Sequence, residues 1–334
     1  MGYEDLKKRV WDLLAQNIES NYRVAVVVVG HPGSGKSTIA QRLKNDLNQS
    51  FQSHLKARRG GLRISADIAA ESLDESVPVA SSALVEEARR GFFAHVEDLA
   101  FKPHKFYDGD GTAIIFGRGG LPNSVRIASE ALDLTSSVNI AEVVPMDGFH
   151  LSRAHLDHFT DAVAAHKRRG APWTFDSNNY LQLCKLLAAT CMWKPAKAPK
   201  GDALLETICD TFAQCPVISY PGFDHAAKDP VRDQHVLTGF TRVLIFDGLY
   251  LLYDQENWAH IYQSLAGTGA LLVVNVTANE ATRETRVAAR HLAAGLVGSV
   301  EEGVRKFREN DLLNAKLIEE HTLKGVPTIT LCND

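Results

Sequence analysis

The hydrophobic pattern of the chain opens with two elements of different period. In the first twenty residues Leu6, Val10, Trp11, Leu13 and Leu14 recur at helical spacing among Glu4, Asp5 and Asp12, which predicts an amphipathic helix. Residues 24–29 then read Val-Ala-Val-Val-Val-Val. A β-branched run that is apolar on both faces predicts a central strand of a parallel sheet. Helical spacing resumes over residues 39–47, so the glycine-rich stretch in between is bounded by a buried strand and a helix.

Further apolar runs predict strands at 140–146, 217–220, 243–246, 271–276 and 328–331, with helical patterns between most of them. Alternation of this kind predicts a doubly wound α/β fold: a mainly parallel sheet with helices on both faces. Thr277 with Glu280, and Ser299 with Glu302, have capping-box spacing and predict two late helix starts. Asp176, ahead of an apolar-periodic stretch, predicts another. Residues 57–137 fit the alternation poorly, mixing glycine-rich pieces and acidic helical stretches with one short strand at 113–116. The expectation is one domain over 1–334, with 57–137 inserted and a basic, Pro-rich loop at about 192–202.

Composition narrows the classes. With 334 residues, 45% hydrophobic and 23% charged, the chain has globular make-up. A net charge of -4 gives no general attraction to nucleic acid or anionic lipid, so small-molecule partners are expected and a homodimer is left open. The odd set of Cys184, Cys191, Cys209, Cys215 and Cys332 lacks C-x-x-C spacing and predicts free thiols in a reducing compartment. The apolar run at 24–29 is far short of the roughly 20 residues that cross a bilayer. The acidic first helix is unlike a signal or transit peptide, and the expected location is cytoplasmic.

Gly30, His31, Pro32, Gly33, Ser34, Gly35, Lys36 and Ser37 fit G-x-x-x-x-G-K-[ST], with Thr38 next. Backbone N–H groups and a helix N-terminus wrap a phosphate chain in such a loop. Lys36 would neutralise the β- and γ-phosphates and Ser37 would offer its hydroxyl to Mg²⁺. ATP and Mg²⁺ are therefore the expected cofactors. A chance glycine-rich turn is the plain alternative, against which the flanking strand and helix both count. No Asn-Lys-x-Asp or Thr-Lys-x-Asp segment reads guanine, and Asp247 is followed by Gly248 rather than the second acidic residue of many ATP-driven machines.

The strand predicted before Asp147 delivers a carboxylate to the strand end, where ligands bind in this class of fold. There Asp147 can take the proton of an acceptor hydroxyl, although Asp147-Gly148 also suits a simple turn. Arg283, Arg286 and Arg290, three and four residues apart, share a helix face; pairing with Glu280 and Glu284 is the bland alternative. Gly295 offers a stop and a hinge. Candidates for holding the acceptor are His150, Arg153, His155, Lys167-Arg168-Arg169, Tyr220, Asp224 and His225. The basic cluster favours an anionic acceptor, while the histidines and Tyr220 suit a neutral polyol.

The P-loop, Met146-Asp147-Gly148-Phe149-His150, Arg168-Arg169-Gly170-Ala171-Pro172-Trp173-Thr174-Phe175-Asp176 and Tyr220-Pro221-Gly222-Phe223-Asp224-His225 occur in that order. In this the chain resembles the phosphoribulokinase/uridine kinase family, most closely its pantothenate-kinase-like branch and the allied fungal and bacterial ATP-dependent kinases. The likeness covers most of the chain outside 57–137 and the Pro-rich loop. It implies a P-loop kinase that passes the γ-phosphoryl group to a hydroxyl of a small metabolite such as a nucleoside, a sugar or pantothenate. It also implies that Asp147 is the general base and that Arg286 and Arg290 belong to a lid at about 278–298 that closes over the phosphates. Asp247 falls where relatives usually carry Glu, as a candidate metal contact beside Ser37. Asn310-Asp311 and Asn314 resemble a pattern near the end of the allied kinases, with no chemistry assigned. The rival reading is an ATP-binding or ATP-hydrolysing regulatory protein without a metabolite acceptor, suggested by the 57–137 segment.

Overall fold

Helix α1 (Tyr3–Asn17) turns Leu6, Val10 and Leu14 inward, the three- and four-residue spacing of its apolar stripe. It leads to strand β1 (Val24–Val29), no residue of which is more than 8% exposed. Valine burial of this kind stabilises by about 1.5–3 kcal/mol per side chain. After β1 come α2 (Lys36–Ala57), β2 (Ile64–Asp67), α3 (Ser82–Arg90), β3 (His104–Tyr107), β4 (Ala113–Phe116) and β5 (Val125–Ala128). Next are β6 (Ala141–Pro145), the short α4 (Arg153–Leu156) and α5 (Ala162–Lys167), α6 (Ser177–Cys191), α7 (Leu204–Asp210) and β7 (Phe212–Gln214). The chain continues through β8 (Val217–Asp224), β9 (Asp229–Leu237), β10 (Val243–Asp247), α8 (Ala259–Ala266) and β11 (Leu271–Thr277). It ends with α9 (Glu280–Ala293), α10 (Val300–Lys306), α11 (Leu312–Glu320) and β12 (Ile329–Cys332). The structure is a computed structural model that describes residues 1–68, 73–133, 138–197 and 203–334. Pro199, Lys200 and Gly201 of the expected Pro-rich loop lie outside the described residues.

The main sheet is five-stranded and parallel, in the order β12-β11-β1-β10-β6. Alternate residues of β1 serve opposite faces. Val24, Val26 and Val28 join the core built with α1 and α2, while Ala25, Val27 and Val29 join the one built with α6 and α8. The doubly wound α/β expectation holds for this sheet.

It does not hold for the strand expected at 217–220. That strand runs on to Asp224 and pairs antiparallel with β5 and β9, in a separate sheet ordered β3-β4-β5-β8-β9. Residues 104–128, within the segment read as an insertion, supply three of its strands. One capping box also moves. Thr277 remains in β11, paired with Cys332, and Asn279 caps α9 by accepting from the Thr282 N–H at 2.8 Å. Ser299 caps α10 as expected, although Glu302 accepts from Gly298 N rather than from Ser299. Asp176 caps α6, and α9 stops just before Gly295, whose φ is 64°. All five cysteines are free, and Cys332 alone among them is exposed. Among the described residues no helix is long and apolar enough to cross a membrane.

Candidate functional site

Three strand ends meet at one edge of the parallel sheet. Val28 of β1 pairs with Asp247 of β10, and Asp247 pairs with Pro145 of β6, so their C-terminal extensions lie side by side. From β1 the chain enters the glycine-rich loop, and α2 begins at Lys36. Gly33 (φ 81°) could carry no side chain, because a Cβ there would lie 2.7 Å from the Arg283 carbonyl oxygen. Gly35 (φ 90°) is pressed in the same way by the Asn333 amide, which donates to the Ser34 carbonyl at 2.8 Å. The loop is therefore braced by α9 and by the residue that follows β12. Neither brace has a local sequence signal.

Asp247 is 8% exposed, and burial pushes its carboxyl above the ordinary value. Lys36 and the Ser37 hydroxyl pull it down, while Asp147 pushes it up, in keeping with the adjacent strand ends. The Asp147 carboxylate itself makes no hydrogen bond or ion pair among the described residues. The 140–146 strand expectation needs trimming here, because β6 stops at Pro145 and Asp147 sits in the short turn Met146–Phe149.

The buried atoms left without partners among the described residues point to an anion and a cation. Ser34 Oγ, Asp247 Oδ1 and the Nε and Nη1 of Arg283 are all orphaned, and such groups call for an explanation. Arg283 is 6% exposed and borders the loop, so it belongs with the loop residues. The spacing of α9 showed it on the right face, but nothing in the sequence separated it from Arg286 and Arg290. Its charge helps to hold the His31 imidazole below its usual value, after burial, which is the larger cause. The glycine cradle, Lys36, Ser37 and Asp247 thus suit a polyphosphate with Mg²⁺, an ion that needs few protein carboxylates.

The expected arginine face divides. Arg286 donates from Nη1 to the Asn333 carbonyl at 2.7 Å, beside Gly35. Arg290 is exposed and makes no hydrogen bond or ion pair among the described residues. The bland pairing is largely absent. Glu284 instead holds Arg308 at 2.7 and 3.2 Å, and Glu280 comes no closer than 4.0 Å to Arg283.

Among the residues expected to hold an acceptor, His150 donates from Nδ1 to the Asp147 carbonyl at 2.8 Å, its ring packed between Phe175 and Phe223 with centroids 4.0 and 4.8 Å away. Burial is the main cause of its lowered pKa, so the ring is neutral and Nε2 is an acceptor. His225 lies near this group, its ring 5.3 Å from Phe223. Other candidates go elsewhere. Tyr220 is fully buried, its hydroxyl donating to the Val143 carbonyl at 2.9 Å. Asp224 accepts from the Ala226 and Ala227 N–H groups and shapes the β8–β9 turn. His155 is 1% exposed and bonded to Ser152. The Arg153 side chain is exposed, and its N–H donates to Asp229.

Two members of the basic cluster, Arg168 and Arg169, are internal bracing. Arg168 donates to the side-chain oxygens of Asn310 and Asn314. Arg169 donates to the Lys228 and Leu151 carbonyls and pairs with Asp229 at 3.0 Å. Lys167 is exposed.

No protein-family model matches the chain. It is 91% identical over 334 residues to the ATP-dependent kinase YFH7 of Eremothecium gossypii, covering 100% of both chains. It is 44% identical over 343 residues to that of Kluyveromyces lactis, covering 97% of this chain and 96% of the relative. Among solved structures it matches YFH7 from Saccharomyces cerevisiae, described as a candidate P-loop containing kinase with a circular permutation, with a TM-score of 0.90, 44% identity and full coverage of both chains. A protein from Silicibacter described as a candidate fructose transport system kinase shares the fold, with a TM-score of 0.54 and 21% identity over 99% of both chains.

Proposed function

This chain belongs to the family of ATP-dependent kinases named YFH7, and we propose that it transfers the γ-phosphoryl group of ATP to a hydroxyl of a small metabolite. One observation carries the reading: the Asp147 carboxylate, without a partner among the described residues, follows the end of β6 beside the end of β10 at Asp247 and the end of β1 that leads to Lys36 and Ser37. A base positioned there takes the acceptor's proton as its oxygen forms the new P–O bond and ADP leaves, which is worth about 10²–10⁴ in rate.

Loop N–H groups and Lys36 hold the phosphates in line, and Arg286 and Arg290 on the lid bring positive charge to the transferring group. Ser37 and Asp247 would hold Mg²⁺, which supplies charge neutralisation between the β- and γ-phosphates. His150, with Phe175 and Phe223, lines the acceptor side. Because Arg168 and Arg169 are engaged by protein groups, a neutral hydroxylated acceptor fits better than the anion that the basic cluster suggested. The sequence resemblance to kinases of nucleosides, sugars and pantothenate supports the same class.

The test is to incubate the protein with Mg-ATP and a metabolite extract and to search for a product heavier by one phosphoryl group. That product should vanish with Lys36→Ala. ATP hydrolysis that no extract fraction accelerates would overturn the proposal and favour an ATP-hydrolysing regulatory protein.

A further inference from the structure

Asn123 is fully buried at the end of a short helical turn, Leu121–Asn123, that links β4 to β5 of the antiparallel sheet. It stands within the segment expected as an insertion, and no local pattern marks it. Its side-chain amide crosses to the turn that carries Asp147. Nδ2 donates to the Gly148 carbonyl at 2.8 Å and to the His150 carbonyl at 3.0 Å, the two residues that flank Phe149. Both protons of the amide are therefore spent on one turn. Oδ1 is buried without a partner among the described residues, and it lies so close to Gly119 that a Cβ there would collide with it. An unsatisfied buried oxygen costs stability, so the donor side is what an asparagine supplies here.

The same stretch of chain grips the neighbouring segment. Arg118, 1% exposed, donates from Nη2 to the Trp173 and Phe175 carbonyls at 2.6 Å each, and the Gly119 N–H donates to Asp176 at 2.8 Å. Asn179 of α6 donates to the Asn123 carbonyl at 2.7 Å. Phe175 in turn packs on His150, and the Phe149 carbonyl accepts from the Asp176 N–H at 2.8 Å. The turn also rests on β8, where a Cβ on Gly148 would strike the Pro221 carbonyl. Residues 118–123 and β8 together leave it little room to shift. The Asp147 carboxylate has no hydrogen-bond partner among the described residues, so its aim is set by the backbone of this turn.

We propose that Asn123 is a positioning residue for Asp147: its amide, delivered by the antiparallel sheet, fixes the turn from which the base reaches the acceptor hydroxyl. The inference rests on reading Asp147 as the base. A base misplaced by about an ångström loses about 10² in rate with no change in ATP binding. The strands at 104–128 are then part of the transfer machinery, where the rival reading makes them a nucleotide-controlled appendage.

Asn123→Ala removes both donors, and Asn123→Ser, whose hydroxyl is too short to reach both carbonyls, is the milder change. Each is compared with the wild type, Asp147→Asn and the Asn123→Ala/Asp147→Asn pair. ATP affinity is measured by titration and folding by melting curves. The rate of phosphorylated product is followed with a metabolite extract at fixed dilution while Mg-ATP is varied. Asn123→Ala should lower the maximal rate about 10²-fold and leave the KM and Kd for ATP within about twofold. Asn123→Ser should show the same split, at about tenfold. In the Asp147→Asn background Asn123→Ala should cost almost nothing more, because residues that act as a unit are not additive. An unchanged maximal rate in either folded variant overturns the proposal, as does an equal loss in the Asp147→Asn background. A loss of ATP affinity in step with the rate, or failure of both variants to fold, overturns it too. Asp147→Asn separates the two layers. If it turns over as the wild type does, or if the wild type forms no phosphorylated product, the reading of Asp147 itself falls; if it is slow while Asn123→Ala is not, only the role of Asn123 falls.

Discussion

Asn333 donates from Nδ2 to the Ser34 carbonyl at 2.8 Å, so the residue after the last strand closes on the loop after the first. Its own N–H donates to Thr277 at 2.8 Å, and its carbonyl accepts from Arg286. The glycine-rich loop, α9 and the segment after β12 are thereby joined through one residue. Replacing it should loosen the loop without unfolding the sheet. One neutral hydrogen bond is worth about 1 kcal/mol net, so Asn333→Ala should weaken ATP binding about fivefold while leaving the melting temperature almost unchanged. Undiminished affinity would leave the loop's shape to its glycines alone.

Asp147→Asn separates binding from chemistry. The amide has nearly the same shape but cannot take a proton, so ATP affinity should be retained while acceptor phosphorylation drops about 10²–10⁴-fold. Full turnover by the variant would remove Asp147 from the base role and move the search to His150, whose ring is bonded to the Asp147 carbonyl.

What was legible in the sequence was local. The apolar run at 24–29, the glycine-rich loop and the helix after it are contiguous, and each declares itself by period or residue type. The second sheet is not contiguous. Its strands β3 and β5 have four residues each, too few for a period to stand out, and β9 carries Arg232, Asp233, Gln234 and His235 on an edge where alternation is weak. The partners of Arg168 lie 142 and 146 residues away, so a structural clamp reads in sequence as an anion site. Tyr220 misleads for the same reason, because its hydroxyl is satisfied by Val143 from a different sheet.

Arg168 gives a stability prediction that distinguishes the two readings of the basic cluster. Its bonds to Asn310 and Asn314 are charge-assisted and partly buried, and a hydrogen bond of this kind contributes about 1.5–3 kcal/mol. Arg168→Met should therefore lower unfolding free energy by about 2–3 kcal/mol, seen as a shifted denaturant midpoint with unchanged slope. An acceptor-binding arginine would instead leave the midpoint in place and raise KM alone.

Acid sensitivity follows from two buried histidines, His155 and His291, and the half-buried His235. Burial drags His155 from 6.5 down to about 4, and His235 and His291 also fall to about 4 with burial as the leading cause. Between those values the unfolded chain binds protons that the folded protein refuses, so stability falls as pH drops from 6.5 towards 4. For His155, which is 1% exposed, the loss is about 1.4 kcal/mol per pH unit, or roughly 3 kcal/mol over the window. Asp176 opposes this. Its carboxyl is raised from 3.8 to about 6 by burial, so the folded state keeps a proton that the unfolded chain has released, and this group gains stability as pH falls through the same range. Asp247, Asp311 and Glu142, also raised by burial, oppose the loss, and His31 and His150, also lowered by burial, add to it, so the expected net loss in acid rests on His155, His235 and His291 outweighing Asp176. Denaturant unfolding between about pH 7 and about pH 4.5 measures the slope. His155→Gln, which cannot titrate, should remove roughly a third of the histidine contribution; a slope indifferent to it would mean that His155 is protonated within the fold.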